Sequence, residues 1–184
     1  MNSPIDISDV ILYTDRLILR PWTLDDLQDF YEYASVDGVG QMAGWLPHKS
    51  IDESLAILQK FIAEHKTFAV EFNGKVVGSL GIEMYNEVEL PEFNFKRGRE
   101  IGYVLSKDYW GKGLMSEAVK EVIKYLFDEL ALDFIVCGHF IDNLRSMRVQ
   151  EKCGFKHYKR VTYTTHSGEI KDAWLSIIER KENK

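Results

Sequence analysis

The chain has 184 residues, 45% of them hydrophobic and 12% aromatic, and a formal net charge of −6. That length suits one domain, and so much apolar side chain excludes a disordered or low-complexity chain. No apolar run approaches the ~18 residues of a membrane span, the segment 1–10 lacks the basic start of a signal peptide, and the acidic balance argues against nucleic acid as a direct partner.

Residues 15–20 (DRLILR) read as a first strand, followed by Pro21 and Trp22. Thr23 is placed to cap a helix in which Leu27, Phe30, Tyr31 and Ala34 recur at helical spacing. Residues 35–49, with Gly38, Gly40, Gly44 and Pro47, form a loop or a broken helix. Ser50 and Glu53 then make a capping box ahead of a second helix, with Ile51, Leu55, Leu58, Phe61 and Ile62 on one face. Phe68, Val70 and Phe72 alternate into Asn73-Gly74, a strong hairpin signal, and 76–83 supplies the returning strand.

Residues 83–98 are irregular. Their acids, Glu83, Glu87, Glu89 and Glu92, either attract a basic peptide or form a solvated loop. Residues 100–105 (EIGYVL) form a strand with Ile101, Tyr103 and Leu105 on one face and Glu100, Gly102 and Val104 on the other. A third helix follows, capped by Ser116, with Glu117 in its first turn and an apolar stripe from Ala118 to Leu130. Then come a buried strand at 134–140, a short helix at 143–153 closed by Gly154, and strands at 160–165 and 171–178 about the turn His166-Ser167-Gly168. The order predicts a single α/β (α+β) domain over 1–184 on a mixed central sheet with flanking helices.

Cys137 and Cys153 form neither a disulfide scaffold nor a Cys-x-x-Cys motif, and buried free thiols fit a reducing, cytoplasmic setting. The five histidines show no metal-ligand spacing, so no metal is expected. The chemistry concentrates in 100–122, where a strand runs into Gly111-Lys112-Gly113 and a helix begins. Glycines let successive N–H groups converge, and a helix start adds unpaired donors with the positive end of its dipole. Two readings stand: a phosphate or pyrophosphate seat, or an ordinary tight turn. A Walker loop is excluded because Leu114 follows Gly113, and the dinucleotide fingerprint because Ser116 stands at its third glycine.

YWGKGLMSEA (109–118), preceded by EIGY (100–103), resembles motif A of the GNAT (GCN5-related) N-acetyltransferases. Asn143-Leu-Arg-Ser146 and Glu151-Lys-Cys-Gly-Phe155 resemble the next motif, and TDRLILRP (14–21) is similar to the RimJ/RimL branch, which acetylates ribosomal-protein N-termini. The resemblance spans about 14–178. It implies a GNAT-like fold with a splayed parallel-strand cleft for acetyl-CoA as co-substrate. Trp110, Gly111, Lys112, Gly113, Leu114, Met115 and Ser116 would seat the pyrophosphate, with Met115 departing from the small residue of the family pattern. Val104, Leu105 and Ser106 would flank the pantetheine arm and offer an N–H to the thioester carbonyl, and Asn143 and Ser146 match positions that contact pantetheine and the leaving sulfur.

Transfer to an amine needs a proton acceptor. Glu100 is the candidate base; the competing reading pairs it with Arg97 or Arg99. Ser146 is the candidate donor to the thiolate, because Gln150 stands where many relatives carry a tyrosine acid. Trp45 is expected to line the acceptor site or to cover the core. The expected activity is acetyl transfer to a primary amine, first a protein or peptide α-amine, in a monomer or homodimer. The alternatives are a small-amine acetyltransferase, acting on a polyamine or an antibiotic, and an acyl-CoA sensor without turnover.

Overall fold

Asn73 and Gly74 both adopt left-handed backbone, with φ of 52° and 77°, so strand β3 (Thr67–Phe72) turns tightly into β4 (Lys75–Glu83). The computed structural model describes residues 1–181. Ahead of this hairpin lie β1 (Leu12–Tyr13), β2 (Leu17–Pro21), α1 (Leu27–Ala34) and α2 (Ile51–Glu64). Behind it follow β5 (Gly98–Leu105), α3 (Leu114–Asp128), β6 (Phe134–Phe140), α4 (Leu144–Lys152), β7 (Lys156–Thr164) and β8 (Ile170–Glu179). The eight strands form one mixed sheet in the order β1-β2-β3-β4-β5-β6-β8-β7. The expected α/β architecture is therefore found.

The apolar stripe of α3, including Ala118, Val119, Val122 and Leu126, packs on one sheet face with Leu17, Leu19, Phe68, Leu80 and Ile101. On the other face Trp22, Phe30, Tyr33 and Leu58 close over Ala69 and Val76. Period-two strands with apolar residues on both faces give this three-layer arrangement.

Local differences from the sequence reading have physical reasons. Thr23 opens a short 3-10 turn, Leu24–Asp26, before α1. Ser50 Oγ accepts from Glu53 N–H at 3.2 Å as expected, but the Glu53 carboxylate reaches Lys49 N–H at 2.7 Å instead of closing the box on Ser50. Ser116 does not cap α3. Gly113 stands at the N-cap with φ 77°, and Ser116 is buried inside the first turn. β7 begins four residues earlier than predicted, because its exposed, charged edge lacks the apolar alternation that marks a half-buried strand.

Behind the first helix, Arg20 ties strand to turn: it donates from Nη1 and Nη2 to Asp26 at 2.9 and 2.8 Å and from Nε to Glu71 at 2.7 Å. Burial alone would raise the Asp26 carboxyl, yet hydrogen bonds from Arg20 and the Thr23 N–H outweigh it and hold it below its ordinary value. Its stabilisation is therefore present above the unfolded carboxyl's titration, near pH 4, and lost as pH falls through the lowered folded value. Asp26→Ala is expected to cost about 2–3 kcal/mol in denaturant unfolding at pH 7, less than a fully buried pair because Arg20 keeps some solvent.

The site depends on one feature of the sheet. β5 and β6 are the parallel pair, and they join only from Gly98↔Phe134 to Ile101↔Cys137. β5 continues along β4 as far as Leu105, while β6 pairs with β8 along its whole length. Past Ile101 the two strands diverge and leave a V open between them.

Candidate active site

The V opens into a cleft of about 680 Å³ reaching from Glu83 and Glu100 to the loop ahead of α3. Gly111 and Gly113, with φ of 76° and 77°, shape that loop, and a Cβ on Gly111 would meet nothing within 4 Å. The first helical closure is Glu117 N–H to the Gly113 carbonyl, 3.1 Å. Among the described residues, the N–H groups from Gly111 to Ser116 donate to no protein acceptor. Such an array of free donors at a helix start suits a pyrophosphate.

A bracket holds the loop in place. Glu117 accepts from Arg16 Nε at 2.8 Å, from Arg16 N–H at 2.9 Å and from Thr14 Oγ1 at 2.5 Å, while Arg16 Nη1 donates to the Lys112 carbonyl at 3.0 Å. Sequence reading placed Thr14 and Arg16 in a motif but gave them no task. The partners lie about a hundred residues apart, and only the sheet brings them together.

Along β5 the direction of each backbone group can be read from one bond. Ser106 N–H donates to the Val77 carbonyl at 2.8 Å, so it faces β4, and by alternation the N–H of Val104 does also. Leu105 faces the opposite way, into the V, where its carbonyl accepts from Trp110 Nε1 at 2.8 Å. Of the three expected positions, Leu105 thus offers its N–H to the cleft. Ser106 and Lys112 lie outside the cleft lining, whereas Trp110, Gly111, Gly113, Leu114, Met115 and Ser116 are in it.

On the far wall Asn143 is the N-cap of α4: its Oδ1 accepts from Ser146 N–H at 3.1 Å, and its Nδ2 donates to the Met42 carbonyl at 3.2 Å. Ser146 Oγ is 2.9 Å from the Tyr103 hydroxyl, which reaches across from β5. Burial holds the Tyr103 hydroxyl well above its ordinary value, so this pair keeps its protons. Gln150 is buried and occupied structurally, donating from Nε2 to the Gly138 carbonyl at 3.1 Å and accepting at Oε1 from His139 Nδ1 at 2.9 Å. Tyr158 lies away from the cleft, bonded to Glu92.

Glu100 pairs in register with Glu83 on β4, and both line the cleft. Arg97 and Arg99 are turned to Ser3, at 3.3 and 2.5 Å, and among the described residues no cation pairs with Glu100. Its carboxylate lies over β6, where a Cβ on Gly138 would sit 3.6 Å from Oε1. Burial first, and the neighbouring Glu83 second, push Glu100 up to about 7. Lys66 neutralises Glu83 instead, at 2.6 Å. A carboxylate poised near neutrality in a cleft is what proton abstraction requires.

Two further expectations resolve here. The Trp45 ring lies tilted against His48, with centroids 5.1 Å apart and planes at 45°, and covers Gly40; its neighbours Met42 and Ala43 line the cleft, and Trp45 does not. The acids of 83–98 are spent internally: Glu87 accepts from Asn2 at 2.9 Å and Glu89 from Lys159 at 3.0 Å. Both cysteines are buried free thiols, and Cys153 is pushed up to about 11 by burial. Among the described residues no group of three His, Cys, Asp or Glu could hold a metal ion, and no helix is long and apolar enough to cross a membrane.

A family model described as acetyltransferase (GNAT) domain matches residues 16–156. The chain is similar to the uncharacterised N-acetyltransferase YoaA of Bacillus subtilis strain 168, 30% identical over 153 residues, covering 79% of this chain and 82% of that protein. A crystal structure of a GNAT-family acetyltransferase from Bacillus anthracis matches with a TM-score of 0.80 at 25% identity, over 92% of this chain and 98% of that one. The spermidine N-acetyltransferase of Vibrio cholerae in complex with CoA and spermine shares the fold, with a TM-score of 0.72 at 20% identity over 90% and 96% of the two chains.

Proposed function

The chain belongs to the GNAT acetyltransferase family, and we propose that its cleft takes acetyl-CoA and delivers the acetyl group directly to the α-amine of a protein or peptide. The observation that carries this reading is the placement of an unpaired carboxylate, Glu100, and a free donor array at opposite ends of one V-shaped cleft. The N–H groups of Gly111 to Ser116 hold the pyrophosphate, and Asn143 and Leu105 flank the pantetheine arm.

Glu100 accepts a proton from the incoming ammonium, directly or through one water, and frees the nitrogen lone pair. That nitrogen bonds to the thioester carbon while Leu105 N–H donates to the carbonyl oxygen as negative charge gathers there. The C–S bond then breaks and the electron pair leaves with sulfur as a thiolate, to which Ser146 Oγ–H, held by Tyr103, donates a hydrogen bond; the proton shed by the new amide nitrogen passes to that thiolate. With the base near 7, taking a proton from an α-ammonium near 8 costs about 1.4 kcal/mol, against about 4.6 kcal/mol for a lysine near 10.4. This difference and the RimJ/RimL-like segment 14–21 favour the α-amine. A thiolate already leaves readily, so Ser146→Ala is expected to lower kcat by less than about tenfold, measured at saturating acetyl-CoA.

The reading is tested by offering labelled acetyl-CoA to a pool of free-N-terminus peptides, N-blocked lysine peptides, polyamines and aminoglycosides, and locating the label by mass spectrometry. Label on free N-termini is expected. Label confined to a small amine would keep the enzyme class and overturn the acceptor. Tight binding of acetyl-CoA with no label anywhere would favour a sensor without turnover.

A further inference from the structure

The cleft opens on both faces of the sheet, and the glycine loop belongs to only one of them. Helix α3 packs on the face of Ile101, α4 lays Val149 against the same cluster, and Tyr103 reaches Ser146 from that side. Alternation along β5 and β6 turns Glu100 and Gly138 to the opposite face. From Gly138 the register carries that face outward: Gly138 pairs with Leu175, Phe140 with Ala173, and Ala173 in turn with Val161 on β7. All five line the cleft.

One position ties the base to this wall. A Cβ built on Gly138 would lie 3.6 Å from Glu100 Oε1 and 3.6 Å from Leu175 Cδ2, so carboxylate and leucine border the same bare stretch of backbone. An amine that gives its proton to Glu100 has that space, and the wall behind it, for its own substituent. The far end is closed. A Cβ on Gly44 would come 2.8 Å from the Tyr163 ring and 3.5 Å from that of Phe140, and His166 N–H holds the β7–β8 turn to the Gly44 carbonyl at 2.8 Å. Phe140 stands two residues past Gly138, roughly 7 Å along the strand, which is the reach of a leucine or methionine side chain.

The wall is apolar and partly open. Phe140, Val161, Ala173 and Leu175 carry no polar side-chain atom, and Val161 and Leu175 are only half-buried. Lys171, beyond them, is turned to Asp142 at 3.9 Å and stands outside the lining. A charged side chain laid along this wall would lose its water and gain no partner. Between Phe140 and Val161 the single methyl of Ala173 leaves a notch in the row.

We propose that this wall is the subsite for the acceptor's first side chain: the residue bearing the α-amine is apolar and of leucine or methionine size, and Ala173 sets how deeply it enters. This rests on the α-amine reading and names the class of acceptor within it.

Steady-state kinetics tests it with peptides that differ only in their first residue (glycine, alanine, leucine, methionine, lysine or aspartate), on the wild type, Ala173→Leu and Leu175→Asn. Wild-type kcat/KM is expected to be about tenfold to a hundredfold higher for leucine and methionine than for alanine, lysine or aspartate. Ala173→Leu fills the notch, and Leu175→Asn removes apolar contact. Each should lower the leucine-over-alanine ratio by about tenfold, with CoA affinity by calorimetry within about twofold of the wild type. Melting temperatures show which variants are folded, and either one alone decides the matter. A flat first-residue profile, one led by glycine, alanine, lysine or aspartate, or a ratio unmoved by substitution would overturn the subsite while leaving the α-amine reading in place. Acetylation of a small amine with no peptide modified would overturn that reading and the subsite with it.

Discussion

Glu100→Gln is expected to lower kcat by about 10²–10⁴-fold while leaving the affinity for CoA within about twofold. Glutamine keeps the shape of the side chain over Gly138 but cannot take the proton of the attacking ammonium. The pH dependence carries the same signature. Glu100 is pushed up to about 7, so wild-type kcat/KM should climb through an acid limb centred there, and the variant's residual activity should lack that limb. A variant with undiminished kcat and the same limb would remove Glu100 from the mechanism.

Stability should move the other way. The folded carboxyl titrates above its ordinary 4.5, so the folded state holds the proton more tightly than the unfolded chain. Stability from that proton is full below pH 4.5 and is lost as pH rises to about 7. Above that pH the ionised carboxylate beside Glu83 destabilises the fold by roughly 3 kcal/mol. Glu100→Gln is accordingly expected to raise the melting temperature at pH 8 and to change it little at pH 4, as differential scanning calorimetry would measure. Gain of stability with loss of turnover distinguishes a catalytic group from a structural one.

Gly113→Val is expected to raise the KM for acetyl-CoA by about a hundredfold, with kcat at saturation kept within a few-fold. Gly113 caps α3 in the left-handed region, where a β-branched side chain is strained by about 1–3 kcal/mol. Relief of that strain rotates the peptide units whose N–H groups face the seat, and the Arg16–Glu117 bracket resists the rotation from the other side. The effect should fall on the carrier and spare the acceptor's KM. Equal losses toward carrier and acceptor would mean general unfolding instead.

Much of this was legible one segment at a time. The Asn73-Gly74 hairpin, the apolar stripe of α3 and the alternation that turns Glu100 away from Ile101 are local patterns, and each reappears in the fold. The free donors of the glycine loop were legible because two glycines at a helix start already imply unpaired N–H groups. What stayed hidden depends on pairing between distant segments. Glu83 meets Glu100 across an antiparallel register, Arg16 meets Glu117 through the sheet, and Tyr103 meets Ser146 across the V. Trp45, expected to line the acceptor site or to cover the core, lies over Gly40 and against His48, a close approach that no local pattern announces.

On the proposed mechanism the acetyl group passes directly from the carrier to an amine held at Glu100. A single-turnover measurement tests it most directly: the protein, loaded with one equivalent of isotope-labelled acetyl-CoA, is mixed with a peptide bearing a free N-terminus and an N-blocked lysine peptide, quenched at intervals, and analysed by mass spectrometry. Label is expected on the α-nitrogen of the free peptide, at a rate that rises with pH through about 7, and none on the protein itself. Label accumulating on the protein before the peptide, or label on the lysine peptide alone, would contradict it.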